Sequence, residues 1–132
     1  MSREDVELLY ATYRRFNDGD HDAVLEAVDR DVVLRDRTLP DYAEEVVGRA
    51  AYAGYLQQLR ASFGDLSYEI ESVEELGDRL VVKVRATAVG ADTGAGVSGV
   101  MGHVWRMAGG KGTRVDIYAT WEETLDAVGL RE

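Results

Sequence analysis

The chain has 132 residues, which is room for one domain and not for two. Its 15 basic and 25 acidic side chains leave a formal net charge of −10, which argues against a nucleic-acid backbone or an anionic membrane surface as partner, since both are held by cations. Cysteine is absent from the sequence, so disulfides, thiolate metal ligands and cysteine nucleophiles are excluded.

Val6, Leu9, Tyr13 and Phe16 recur at spacings of three and four and predict an amphipathic helix over 4–17. Ser2 is a candidate cap, with Asp5 three residues on, and Gly19 can take the left-handed conformation that ends a helix. A shorter helix is expected over 21–28, capped by Asp20 or Asp22, then a short strand over 32–36. Residues 37–47 are irregular and contain the only proline, Pro40. Tyr52, Tyr55, Leu56, Leu59 and Phe63 form one stripe and predict a third helix from about Arg49 to Phe63, ended by Gly64-Asp65. The period then changes to two: Leu66, Tyr68 and Ile70 alternate with polar residues, Gly77-Asp78 turns the chain, and Leu80, Val82, Val84 and Ala86 alternate again. Eight of the fourteen glycines fall between Gly90 and Gly112, so a turn and an irregular strand start are expected over Gly90–Gly99. Strands at 99–108 and 113–121 flank a glycine turn, and a short helix opens at Trp121 and stops at Gly129. Helices followed by a run of antiparallel strands predict an α+β fold. No apolar run approaches the ~20 residues of a membrane span, and Met1–Tyr10 lacks a signal-type apolar stretch, so a cytoplasmic location is expected.

Strand parity selects the candidate residues. Met101, His103, Trp105 and Met107 share one face, while Val115, Ile117, Ala119 and Trp121 share a face opposite Arg114, Asp116, Tyr118 and Thr120. The helices should cover the apolar faces, which puts His103 in an apolar cavity. Desolvation there lowers the imidazole pKa and keeps it neutral, a form suited to general acid–base work. The competing reading is a core histidine bonded to one partner. His21, in the break between helices, is expected to face solvent. Asp36 continues the inward parity of Val32 and Leu34; the competing reading is a turn aspartate paired with Arg35 or Arg37. Asp116 has outward parity beside Arg114 and Tyr118, as an ion pair on the outer face.

The order of elements, with Phe16-Asn17-Asp18-Gly19-Asp20-His21-Asp22-Ala23, Asp31-Val32-Val33, Gly48-Arg49, His103-Val104-Trp105-Arg106-Met107 and Tyr118…Trp121-Glu122-Glu123…Leu125…Gly129-Leu130, resembles the nuclear transport factor 2-like superfamily, closest to its SnoaL-like branch. The resemblance implies one domain over 1–132, a cone of strongly bent antiparallel sheet closed by about three N-terminal helices. It also implies a dimer, for which the outer row Arg106, Arg114, Asp116 and Tyr118 suits a polar two-fold contact. The end of strand 32–36 resembles the ketosteroid isomerases, where a carboxylate at this place moves a proton beside a carbonyl. Asp36 holds that place. His103 stands where those enzymes have a second acid, and their helix-1 tyrosine falls on Thr12, with Tyr13 and Tyr10 facing differently. Both departures argue against steroid isomerisation.

The function expected is a small-molecule pocket protein, a cofactor-independent acid–base enzyme of isomerase, cyclase or epoxide-hydrolase type acting on an apolar substrate. Asp36 and His103 are the candidate catalytic residues. Thr12, Tyr13, Tyr55, Trp105 and Ile117 are the candidate substrate contacts, Tyr55 as a phenol at the cavity mouth. A non-catalytic dimeric ligand-binding module and a structural dimer with a filled core are the rivals. Walker, H-E-x-x-H and G-x-S-x-G motifs are missing, and Gly94-Ala95-Gly96-Val97-Ser98-Gly99, which spells G-x-G-x-x-G, lacks the lysine and helix of a phosphate loop and reads as a strand-connecting loop, so no cofactor or metal is expected.

Overall fold

The computed structural model describes residues 3–89 and 96–130; Ser2 and the loop expected at Gly90–Ala95 lie outside them. In chain order the elements are α1 (Arg3–Asn17), α2 (His21–Glu26), β1 (Val28–Asp36), a single 3-10 turn (Pro40–Tyr42), β2 (Val46–Val47), α3 (Arg49–Ser62), β3 (Ser67–Leu76), β4 (Arg79–Val89), β5 (Gly96–Ala108), β6 (Lys111–Tyr118) and α4 (Trp121–Val128). The strands form one strongly curved sheet in the order β2-β1-β6-β5-β4-β3.

Several boundaries depart from the sequence expectation, each for a tertiary reason. α2 stops at Glu26 because the Ala27 carbonyl accepts from the Gly112 amide, drawing Val28 into the sheet. β1 therefore starts at Val28 rather than at 32, and it runs parallel to β6, the one parallel pairing in an otherwise antiparallel sheet. β6 ends at Tyr118 rather than at 121, because Thr120 caps α4 by accepting from the Glu123 amide at 3.1 Å. Trp121 thus opens a helix instead of continuing an inward strand row, and its ring lies 5.6 Å from Lys83 Nζ. Gly96–Gly99, expected as loop, belong to β5.

Register rather than proximity in sequence builds the interior. On the covered face one row runs Val82, His103, Ile117, Asp36, and the next runs Leu80, Trp105, Val115, Leu34. α1 and α3 lay Leu9, Tyr13, Phe16, Tyr52, Tyr55, Leu56 and Leu59 against these rows. Each of these side chains is almost wholly buried, and an aliphatic one contributes roughly 1.5–3 kcal/mol by leaving water. The register shifts by one residue where Arg106 pairs with Arg114 and Met107 with Gly112, which leaves Thr113 of β6 as the extra residue, while Trp105 and Met107 share the inner face by strand alternation.

α4 packs on the opposite face of the sheet. Gly102 makes room for it: a Cβ at that position would collide with the Thr124 side chain. Gly129 ends α4 in the left-handed conformation at φ 75°.

Candidate functional site

Asp36 is the last residue of β1 and is 1% exposed. Its Oδ1 accepts from the Thr38 amide at 2.8 Å and the Thr38 hydroxyl at 2.6 Å, and its Oδ2 accepts from the Tyr55 hydroxyl at 2.6 Å. Neither flanking arginine is its partner. Arg35 Nε donates to the Ala43 carbonyl, and Arg37 pairs with Asp116. A buried carboxylate is solvated here by three protein donors in place of water, and two of those come from the turn that follows β1.

His103, in the middle of β5, is 2% exposed. Its Nδ1 lies 2.5 Å from the Tyr13 hydroxyl, which also accepts from Trp105 Nε1 at 2.9 Å. The indole can only donate. The arrangement that pairs every group has Tyr13 accepting from Trp105 and donating to Nδ1, which leaves the proton of the imidazole on Nε2. Nε2 is buried and has no partner among the described residues. Burial holds the imidazole pKa down at about 3, so the ring is neutral throughout the physiological range. Burial likewise raises the phenols of Tyr13, Tyr52, Tyr55 and Tyr68, assisted at the last three by the charge of Asp36.

Beside His103, Tyr13 and Tyr55 lies a cavity of about 30 Å³ lined by Thr12, Tyr13, Tyr55, His103, Trp105 and Ile117 among other residues of the two helices and the sheet. It has room for water and not for an organic substrate. A wider apolar mouth of about 230 Å³ opens beside it, lined by Thr38, Leu59, Phe63, Leu66, Tyr68, Ala86, Ala88, Gly99, Val100, Met101 and Ala119. Leu59 and Tyr68 line both spaces and form the partition. Asp36 lines neither, but its partners do: Tyr55 on the inner side and Thr38 at the mouth.

The structure therefore brings Thr12, Tyr13, Tyr55, His103, Trp105 and Ile117 around one cavity, with three corrections to the sequence reading. The Thr12 hydroxyl is spent on the Leu8 carbonyl one turn back at 2.7 Å, and Tyr13 supplies the phenol at the imidazole. Tyr55 is not a free phenol at the mouth; it is bonded to Asp36. His21 begins α2 with its Nε2 buried, rather than standing in solvent. Sequence reasoning missed Thr38 and Tyr68. The Asp-x-Thr spacing at 36–38 is the signal that could have found Thr38, since a carboxylate readily accepts from the amide two residues on. On the outer face Asp116 lies between Arg114, at 2.8 and 3.1 Å, and Arg37, at 3.1 Å. Burial works to raise its carboxyl, but the two guanidinium groups prevail and hold it below the usual carboxylate value. Among the described residues no group of three His, Cys, Asp or Glu is placed to hold a metal ion, and no helix is long and apolar enough to cross a membrane.

The SnoaL-like domain family matches residues 9–115, most of the chain. The chain belongs to that family. Solved structures agree on the architecture. A nuclear transport factor 2-like protein of unknown function from Burkholderia pseudomallei superposes with a TM-score of 0.81 at 18% identity, covering 96% of this chain and 97% of that one. A protein named as a candidate polyketide cyclase from Xanthomonas campestris does so at 0.79 and 26% identity, with the same coverage. TerC, crystallised with polyporic acid, gives 0.78 at 23%, again covering 96% and 97%. No curated protein matches the sequence. The SnoaL-like fold accounts for the curved sheet, the helices over its inner face and the nuclear transport factor 2-like neighbours alike.

Proposed function

We propose that this SnoaL-like chain is a cofactor-independent enzyme that enolises a small apolar carbonyl compound, in the manner of an isomerase or cyclase. The observation that carries the proposal is the inward row of the sheet, which sets a carboxylate and a neutral imidazole with an unpartnered nitrogen on either side of Ile117 in an otherwise apolar interior. The likeness to a candidate polyketide cyclase supports the same reaction class.

The two polar groups have different tasks. With its pKa depressed to about 3, His103 is a poor proton acceptor near neutrality; its Nε2–H is a hydrogen-bond donor to a carbonyl oxygen that gains charge. Asp36 is the base. It takes the proton from the carbon beside the carbonyl, the C–H electron pair moves into the enolate, and the oxygen rests on His103. The proton returns from Asp36 to another carbon in an isomerisation; in a cyclisation the enolate carbon attacks a second carbonyl and that oxygen takes it. Tyr55 and Thr38 hold the carboxylate in place. The body of the substrate occupies the apolar mouth, and its reactive end passes the Leu59–Tyr68 partition as those side chains yield. Typical contributions are about 10²–10⁴-fold for a positioned base and 10²–10³-fold for one oxyanion donor.

One observation favours a second reading. Asp36 already accepts three hydrogen bonds, which suits a carboxylate that fastens the turn after β1 to α3 in a ligand-binding module without chemistry, one that pairs with a second copy through the outer sheet face. Deuterium exchange separates the two. 2-Tetralone in D2O exchanges its α-hydrogens only when a base removes them. The wild-type protein is expected to accelerate that exchange above buffer, and Asp36→Asn to lower the acceleration by about 10²-fold or more. Binding of 2-tetralone with no acceleration supports the binding module instead, and equal acceleration by Asp36→Asn removes Asp36 as the base.

A further inference from the structure

Three spaces meet at Tyr68. It lines the inner cavity, the apolar mouth and an open groove of about 350 Å³ between α1 and β3, whose rim carries Tyr10, Arg14, Asn17 and Thr87. Leu59, its partner in the partition, lines only the first two. Leu59 belongs to the buried stripe of α3, whereas Tyr68 stands on β3, the last strand of the sheet. Moving Leu59 would force a close-packed core apart; the Tyr68 ring has open space beside it.

The backbone of Tyr68 does not share that freedom. Asn17, at the end of α1, donates from Nδ2 to the Tyr68 carbonyl and accepts the Tyr68 amide at Oδ1, both at 2.8 Å. What can turn is the side chain alone, between staggered rotamers. Its ring lies flat on Phe16, 4.8 Å between centroids at 8°, and edge-on to His103 at 4.9 Å and 82°. Its hydroxyl interacts with that of Tyr55. Across the sheet Tyr68 pairs with Ala86, and Ala86 with Gly99. One ring thus stands in a row whose other two members have almost no side chain, and those two form part of the mouth. The inner cavity of about 30 Å³ admits no organic ring; the space filled by the Tyr68 ring, between the mouth and His103, is the size of one.

We propose that the place of the Tyr68 ring is itself a ligand subsite, one that takes a flat, apolar ring and that Tyr68 fills until a ligand displaces it toward the groove between α1 and β3. The walls select the ligand class: a planar ring stacks on Phe16 and presents its face to the edge of His103, as Tyr68 does, while a saturated ring of the same size gains burial without those contacts. The inference deepens the proposed function and rests on its reading that the ligand enters by the mouth. It does not require Asp36 to be the base.

The chain has two tryptophans, Trp105 at the inner cavity and Trp121 on α4, so Trp121→Phe leaves a reporter of the inner cavity alone. Quenching of Trp105 in that background by 2-tetralone and by 2-decalone, its saturated counterpart, tests the proposal. Saturable binding with 2-tetralone preferred is expected. Tyr68→Ala empties the subsite and should bind 2-tetralone about tenfold or more tightly than its parent, since no ring has to be displaced. It should keep the preference over 2-decalone, and Phe16→Leu should reduce that preference. Tyr68→Leu, which retains an apolar side chain, should show the same gain in smaller measure, and melting of each variant without ligand establishes that it is folded. Binding as described without deuterium exchange upholds the subsite and faults only Asp36 as base. No saturable quenching in any of these proteins, no gain in affinity in folded Tyr68→Ala and Tyr68→Leu, or equal binding of the two ketones by Tyr68→Ala overturns the proposal.

Discussion

Asp36 and His103 each pair with Ile117, one from either side, so the two polar groups of the inner face stand two strands apart with an isoleucine between them. Two strand spacings are about 10 Å, too far for a direct hydrogen bond and close to the span of a small bound molecule. The arrangement separates their tasks. Each group is fixed by its own phenol, Tyr55 for the carboxylate and Tyr13 for the imidazole.

The carboxylate is expected to be a structural hub whatever its chemistry. Asp36→Ala leaves the Tyr55 hydroxyl and both Thr38 donors without their acceptor and should cost about 3 kcal/mol, whereas Tyr55→Phe removes a single donor and should cost about 1 kcal/mol. Urea denaturation of both variants checks the order; equal losses would show that the turn at Thr38 does not depend on the acid.

Tyr13→Phe should strand the Trp105 N–H and free Nδ1 of His103, costing about 1–3 kcal/mol. Nitrogen NMR of the imidazole adds a readout that packing alone does not move. The wild-type ring is expected as the Nε2–H tautomer, and the variant as a mixture. The same single tautomer in both proteins would remove Tyr13 from the role of setting it.

Acid should weaken the fold early. The folded pKa of His103 is about 3 against an ordinary 6.5. Between those values the unfolded chain binds a proton that the folded chain refuses. The contribution is therefore fully present above about pH 6.5 and is lost as pH falls, at up to about 1.4 kcal/mol per unit. Urea midpoints between pH 7 and 4 should fall less steeply in His103→Gln than in the wild type. Parallel slopes would place the imidazole in water.

Gly112 supports the same chain of bonds from behind. A Cβ there would stand 2.7 Å from the Trp105 ring, so Gly112→Ala should displace the indole from Tyr13 and cost about 1–3 kcal/mol. Tryptophan near-ultraviolet dichroism and thermal melting report the two effects; a change in neither would mean the ring has slack to move.

The sequence by itself determined the kinds of elements, their order and the facing of most side chains, because periods of 3.6 and 2 are imposed by local backbone geometry. Parity alone placed His103 inward and Asp116 outward, and the inward run Val32, Leu34, Asp36 held because β1 pairs with β6 without a register shift from Val33 to Asp36. Tertiary structure decided the rest. Helix register is too coarse on its own to say whether Thr12 or Tyr13 carries the hydroxyl to the imidazole, since neighbours on one helix differ by about 100° and only the docked helix shows that Thr12 bonds its own backbone. Nothing local reveals that β1 lies parallel to β6, that α4 crosses to the outer face, or that three arginines on different strands fall into one row. Those facts depend on pairing between segments tens of residues apart, where the partner and its register are chosen by the packing of the whole core.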